Sequence, residues 1–281
     1  ECDYMASEDN VSPHERYTYI RADITERYHM VHIFKEHQPD IVIHFAAQSC
    51  VDRSFDQAFQ FTKDNVLGTH VLLETVKDYG KLKRFIHIST DEVYGEVGSG
   101  GVSTIHSPLN PSNPYSASKA AAEIYVRAYG HSYGIPIIIT RGNNVFGPKQ
   151  YPEKVIPLFI TQILRDEPCT VHGDGHYRRN FIYVDDVSRA VHTIMDKGEI
   201  GATYNIGTKN ELSVTEVFER LVQVMGRGEM KYVEDPRPFN DSRYCIDSSE
   251  LRALGWEEQE DFMSGLAKTV ASYELKEKSR T

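Results

Sequence analysis

The sequence predicts an α/β fold: a doubly wound parallel sheet with a smaller α/β lobe. Three observations point there. Short apolar runs alternate with segments of helical periodicity, the mark of repeated β-α-β units. Three of the runs, residues 40–47, 84–90 and 135–142, are near-continuous in Val, Ile and Phe, as expected of parallel strands covered on both faces. After about residue 145 the pattern changes to shorter strands interleaved with helices, which reads as a second, smaller lobe.

Taken in order, residues 17–23 (YTYIRAD) read as a strand. Residues 25–38 follow as a helix with Met30, Val31, Ile33 and Phe34 as its apolar positions, then the strand 40–47. Residues 64–79 carry Val66, Leu67, Val71, Leu72 and Val76 at helical spacing and lead to the strand 84–90. Residues 96–114, rich in Gly, Ser and Pro, form the longest loop, and loops of that length in compact domains are usually functional or mobile. The Ala-rich stretch 116–133 is a helix that stops at Gly134, a plausible C-cap, before the strand 135–142. In the second part, 153–166 and 183–198 read as helices, the latter with Val187, Ala190, Val191 and Ile194 on one face. Residues 169–175 give a strand and turn, and 202–207 a strand. Residues 213–226 give a helix with Ser213 as N-cap and Val214, Val217, Phe218, Leu221, Val222 and Met225 as its apolar positions.

The 281 residues, 40% hydrophobic and 26% charged, suit one large domain or two modest ones. No apolar run approaches the roughly 18 residues of a membrane span, and the acidic N-terminal stretch is not a signal peptide. Cys2, Cys50, Cys169 and Cys245 are scattered with no CxxC or zinc spacing, which suggests reduced thiols and a cytoplasmic protein without a metal. His44, His87 and His172 fall within strand patterns and read as core or edge residues. A net charge of −10 argues against non-specific nucleic-acid binding. The sequons at Asn10 and Asn240 are attributed to chance.

Two short stretches carry chemistry. In HISTDEVYGE a β-forming run ends in two adjacent carboxylates, Asp91 and Glu92, which repel each other and are costly to bury. In NPYSASKAAAE, Tyr115 and Lys119 stand four apart at a helix start and share one face. A tyrosine is a poor base at neutral pH, and a lysine one turn away favours its phenolate. Ser89 and Thr90, at the end of the preceding strand, are placed to hydrogen-bond the same substrate oxygen.

With HFAAQSCVDRSF, NVLGTHVLLE, STDEVYG, NPYSASKAAAE, RGNNVFGPKQYPEKVIP, GDGHYRRNFIYVDD, YNIG and DPRPFNDSRYCID in place, essentially the whole chain resembles the extended short-chain dehydrogenases/reductases that act on nucleotide sugars. Within them it is most similar to the NAD-dependent nucleoside-diphosphate-glucose 4,6-dehydratases, chiefly those for dTDP-glucose. The specific feature is Thr90-Asp91-Glu92: epimerases on this scaffold usually carry an uncharged residue in place of Asp91, and GDP-mannose dehydratases a single acid. The resemblance implies oxidation at the sugar C4, loss of water across C5 and C6, and return of the hydride to C6. It assigns Glu92 as the base at C5, Asp91 as the acid at C6, Tyr115 with Lys119 to the C4 proton, and Thr90 to the C4 oxygen. Crowding two carboxylates separates their pKa values, as such an acid/base pair requires.

The resemblance also places Asp23, Ile24, Phe45, Ala46, Ala47, Ser49, Asn65 and Ser89 at NAD, together with Tyr115 and Lys119. It places Thr90, Asn144, Glu153, Lys154, Arg179, Arg237 and Asn240 at the nucleotide sugar, where arginine suits phosphate through its planar fork. It divides the chain into residues 1–143 and 184–210, a Rossmann-like NAD domain, and 144–183 and 211–281, the substrate lobe. It implies a homodimer through a four-helix interface built from the helices 64–79 and 116–133. The family opens with a strand and a Gly-rich turn of a βαβ unit of roughly 30 residues. Nothing here corresponds, so the Rossmann-like part is expected to be N-terminally incomplete, its first βαβ start preceding Glu1. Two alternatives stand beside dTDP-glucose dehydration: the same reaction on UDP-glucose, and a catalytically inactive nucleotide-sugar-binding relative.

Overall fold

The computed structural model describes residues 11–278. Cys2, the acidic N-terminal stretch up to residue 10 and the Asn10 of the first sequon lie outside them. In chain order, α1 (Arg27–His37) turns Met30 and Phe34 inward, one helical turn apart, and precedes β1 (Ile41–His44). Short helices α2 (Val51–Asp56) and α3 (Ala58–Phe61) run through a π-helical turn (Thr62–Leu67) into α4 (Gly68–Tyr79). Then come β2 (Arg84–Thr90), a 3-10 turn (Asp91–Tyr94), α5 (Pro114–Tyr133), β3 (Ile137–Gly142) and β4 (Asn144–Phe146). The second part holds α6 (Val155–Leu164), β5 (Cys169–His172), β6 (Arg178–Tyr183), α7 (Val184–Lys197), β7 (Thr203–Ile206) and β8 (Glu211–Ser213). It ends with α8 (Val214–Met225), β9 (Met230–Val233), α9 (Ser249–Ala253) and α10 (Phe262–Lys278).

The main sheet has the order β1-β2-β3-β7, parallel throughout, with Phe85 opposite Ile137 and Thr90 opposite Gly142. Side chains alternate across it. Phe85, Ile137 and Ile139 pack with Met30, Phe34, Leu73, Val76 and Val126 of α1, α4 and α5 on one face. Ile86 and Ile138 pack with Ala190, Val191 and Ile194 of α7 on the other, joined by Leu251 and Trp256. The sheet is thus wound on both faces, as the sequence predicts. A separate core under α6, α8 and α10, with Phe159, Ile160, Val217, Leu221 and Leu266, belongs to the smaller part. There β4 pairs parallel with β6, β6 antiparallel with β8, and β5 parallel with β9.

Local signals explain the key boundaries. Asn113 caps α5 in a capping box with Ser116, Pro114 takes the first turn, and the helix ends on Gly134 at φ 67°. Ser213 and Glu216 make the same box at α8.

Two expectations are corrected. Residues 17–23 are irregular, because a strand needs a ladder partner for its backbone groups and this segment pairs with none among the described residues. The run 40–47 is not covered on both faces: β1 spans only four residues, and Ile41 and Ile43 are each 36% exposed. Among the described residues β1 has β2 as its sole sheet neighbour, and less packs against it.

Candidate active site

The C-terminal ends of β2 and β3 converge with the N-terminus of α5, the place where open parallel sheets present their ligands. Ser89 and Thr90 end β2, and the 3-10 turn then lifts Asp91 and Glu92 into the interior. Thr90 caps that turn by accepting from the Glu92 N–H at 3.3 Å, and its hydroxyl donates to Asp91 Oδ1 at 3.2 Å. Tyr115 enters from the first turn of α5. A cavity of about 340 Å³ is lined by Phe45, Ser49, Ser89, Thr90, Asp91, Glu92, Tyr115, Asn144 and Lys154. The two acids are therefore not a strand surfacing into water; both are buried.

Their electrostatics differ. Burial first, and the negative charge of Glu92 second, push the Asp91 carboxyl from 3.8 to about 7. Asn143 donates to its Oδ2 at 2.7 Å and offsets part of that rise. Burial also raises Glu92, but the charges of Arg179 and Lys154 and a 3.4 Å contact from the Asn113 side-chain amide work against it. Asp91 thus holds a proton near neutrality, while Glu92 faces two cations.

Tyr115 departs from the simple expectation. Burial, then the charge of Glu92, drives its phenol well above the ordinary value, partly offset by the Thr90 hydroxyl. Lys119 does not favour the phenolate in this arrangement: its Nζ donates to the Ile88 carbonyl at 2.7 Å. Burial itself lowers Lys119 to about 8 against the opposing charge of Glu123. Among the described residues, the charges that act on the phenol are those of the two carboxylates, Glu92 and Asp91. Ser89 Oγ is buried with no hydrogen-bond partner among the described residues.

A second cavity of about 210 Å³ adjoins the first, sharing Glu92, Asn144 and Lys154 as walls. Glu153, Arg179, Arg237 and Asn240 line it with Tyr177, Phe239 and Tyr244. Arg179 donates to Asn240 Oδ1 at 3.0 Å and to the Asp241 carbonyl at 2.8 Å, and its guanidinium lies 4.5 Å from the Tyr244 ring centre. Arg237 forms a two-pronged pair with Asp235 at 2.7 and 2.8 Å. Lys154 Nζ donates to the Ser49 carbonyl at 2.6 Å and ties the two halves together at the wall.

Other residues singled out in the sequence line neither cavity: Asp23, Ile24, Ala46, Ala47, Asn65 and Lys119. Asp23 accepts from the backbone and hydroxyl of Thr25 in a local turn. Ile24 packs at the edge of the α1–α4–α5 core. Asn65 brackets Gln48, accepting from its N–H at 2.7 Å and donating to its carbonyl at 3.0 Å, and so fixes the loop after β1. Sequence reasoning missed Asn143 and Asn113, the partners of the two acids. Asn113 was accessible through the rule that asparagine caps helices. Asn143 directly precedes Asn144 in the RGNN stretch that ends β3.

A family model described as GDP-mannose 4,6 dehydratase matches residues 1–269. The chain belongs to this family, whose parallel-sheet α/β fold the main sheet reproduces. It is 45% identical over 279 residues to the Arabidopsis thaliana trifunctional UDP-glucose 4,6-dehydratase/UDP-4-keto-6-deoxy-D-glucose 3,5-epimerase/UDP-4-keto-L-rhamnose-reductase RHM1, which covers 96% of the chain and 42% of that protein. The chain thus spans less than half the length of this plant relative. It is 44% identical over 283 residues to the Mus musculus dTDP-D-glucose 4,6-dehydratase, covering 96% of the chain and 79% of the relative. Among solved structures, that of the dTDP-glucose 4,6-dehydratase DesIV from Streptomyces venezuelae, with NAD and TYD bound, aligns with a TM-score of 0.92 at 38% identity, covering 96% of this chain and 84% of that one.

Proposed function

We propose that the chain is an NAD-dependent 4,6-dehydratase of nucleoside-diphosphate glucose, acting on dTDP-glucose, with UDP-glucose as the alternative substrate. The observation that carries the reading is the buried pair Asp91 and Glu92 in one cavity with Thr90 and Tyr115, the acid raised to about 7 and its neighbour faced by two cations. Relatives named for both substrates support it, at 45% and 44% identity. An epimerase needs no such pair.

NAD fits the first cavity. The orphaned Ser89 Oγ is a buried hydroxyl awaiting a polar partner, and Phe45, Ser49 and Tyr115 stand on the same wall. These residues would hold the cofactor, together with Asp23, Ile24, Ala46, Ala47, Asn65 and Lys119. When bound, the nicotinamide supplies the acceptor for the C4 hydride and returns it to C6. Tyr115, assisted by Lys119, takes the proton of the C4 hydroxyl as its phenolate once the ammonium turns from the Ile88 carbonyl toward it, and Thr90 positions that oxygen. The resulting ketone acidifies the proton at C5. Glu92 removes it, and Asp91 protonates the C6 hydroxyl so that it leaves as water. Asn144, Glu153, Lys154, Arg179, Arg237 and Asn240 bind the nucleoside diphosphate, the arginines at its phosphates. The cofactor domain comprises residues 1–143 and 184–210, and the substrate lobe 144–183 and 211–281.

We extend the proposal to a homodimer through α4 and α5, supported by the exposed apolar Ile124, Tyr125 and Tyr133 on α5 and Leu67 at the end of the π-helical turn that leads into α4. Sedimentation velocity should give a dimer, and a monomer would contradict the interface. Free Cys50, Cys169 and Cys245 support a cytoplasmic location. No helix among the described residues is long and apolar enough to cross a membrane.

The raised Asp91 value has a readable consequence. The folded protein holds this proton more tightly than the unfolded chain, so the stability that Asp91 contributes is full below 3.8 and fades as pH rises to about 7. Asp91→Asn does not titrate. The Tm of the variant minus that of the wild type should therefore be larger at about pH 8 than at about pH 5; a pH-independent difference would refute the raised value. The reading as a whole is tested by incubating the protein that carries this chain with dTDP-glucose and UDP-glucose in turn. Formation of a 4-keto-6-deoxy sugar nucleotide is expected, and no product from either sugar with NAD bound would overturn it.

A further inference from the structure

Beneath the cavities lies a buried polar cluster that the proposed chemistry does not use. Glu123 and Arg141 are 0% and 2% exposed and form a two-pronged pair, with Arg141 Nη2 donating to Glu123 Oε2 at 2.7 Å and Nε spanning both carboxylate oxygens. Arg141 Nη1 donates to the Tyr94 hydroxyl at 2.8 Å. That hydroxyl donates in turn to Asn205 Oδ1 at 2.8 Å, and Asn205 is held to the Asp247 carbonyl at 2.8 Å. Every member except the last carbonyl belongs to a buried residue. Such an ion pair is weak evidence for stability, because apolar residues of similar volume often serve the fold as well. Its placement is what distinguishes it. Glu123 lies one helical turn after Lys119 on α5, the helix that begins with Tyr115. Tyr94 is the last residue of the 3-10 turn that begins with Asp91 and Glu92. Arg141 sits on β3, paired with Ser89 of β2. At the far end of the turn, Gly95 takes φ 75° against the Asn110 carbonyl, so the turn is pinned at both ends.

The geometry points to Glu123, Arg141 and Tyr94 as positioning residues that set the distance between the carboxylate pair and Tyr115, and so couple water loss to the preceding oxidation; this rests on the dehydratase reading above. None of the three lines either cavity, so none touches substrate or cofactor directly. Misplacing a reacting group by about 1 Å costs on the order of a hundredfold in rate. The two half-reactions use different residues. Loosening the turn moves Asp91 and Glu92, while Thr90 and Tyr115 stay at the strand end and the helix start.

The test is the step at which variants stall, read in the holoenzyme with dTDP-glucose. Tyr94→Phe removes one hydroxyl and keeps the ring. It should form the reduced nicotinamide chromophore as the wild type does, accumulate it, and release the 4-keto-6-deoxy product on the order of a hundredfold more slowly, with KM little changed. The double variant Glu123→Leu/Arg141→Met removes the ion pair without stranding a charge. It should melt at or above the wild-type temperature and still accumulate reduced cofactor. Product release at the wild-type rate in both variants would overturn the inference, as would equal slowing of oxidation and water loss. A wild type that turns over neither sugar would instead remove the dehydratase reading, and the inference with it.

Discussion

Glu92→Gln is expected to lower formation of the 4-keto-6-deoxy product by roughly 10²- to 10⁴-fold, the range lost with a general base, while oxidation at C4 persists. The amide keeps the volume of the side chain and an oxygen that can accept from the Asn113 amide, so the fold should survive; what disappears is the basic carboxylate that takes the C5 proton. The variant should therefore hold reduced nicotinamide and a 4-keto sugar in its site, visible in absorbance after a single mixing. Product at the wild-type rate would remove Glu92 from its role. The same experiment separates Glu92 from Asp91. Loss of the acid leaves C5 proton exchange with solvent possible but slows departure of the C6 hydroxyl.

Tyr115→Phe is the second large effect. Without the phenol the C4 hydroxyl has no proton acceptor in the cavity suited to oxidation, and both reduced nicotinamide and final product should fall by roughly 10²- to 10⁴-fold together. This pattern contrasts with Glu92→Gln, where the two signals part. Lys119 adds a further check. Tyr115 is buried next to two carboxylates that raise its phenol, and Lys119 is turned to the Ile88 carbonyl. The working site needs that ammonium to turn toward the phenol, so Lys119→Met should slow C4 oxidation; oxidation at the wild-type rate would remove Lys119 from this role.

Much of the frame was legible because periodicity is local. The runs in β2 and β3 announce strands covered on both sides, and the Ala-rich α5 with its Gly134 stop announces a helix that opens with Tyr115. Residues 17–23 failed because alternation reports only a willingness to pair; whether a partner lies alongside is a property of the whole sheet. The acids were found because two adjacent carboxylates after a β run are locally odd. The partners that tune them were not found. Asn143 and Asn113 reach Asp91 and Glu92 across 52 and 21 residues of sequence. Arg141 finds Tyr94 across 47 residues and Glu123 across 18. Such contacts are made by the convergence of strand ends and a helix start, and no spacing rule encodes them. The direction in which Lys119 points is likewise a matter of side-chain packing: its position four residues after Tyr115 fixes a shared face but not a shared hydrogen bond.

The central claim is that Asp91 and Glu92 remove water across C5 and C6 after oxidation at C4. It is tested most directly by turning over dTDP-glucose, and UDP-glucose in parallel, in deuterated water and locating the isotope in the product by mass spectrometry and NMR. The account predicts a 4-keto-6-deoxy sugar nucleotide with deuterium at C5 and the original C4 hydrogen at C6. A C4-epimerised sugar that keeps its C6 hydroxyl and carries no deuterium at C5 would contradict it.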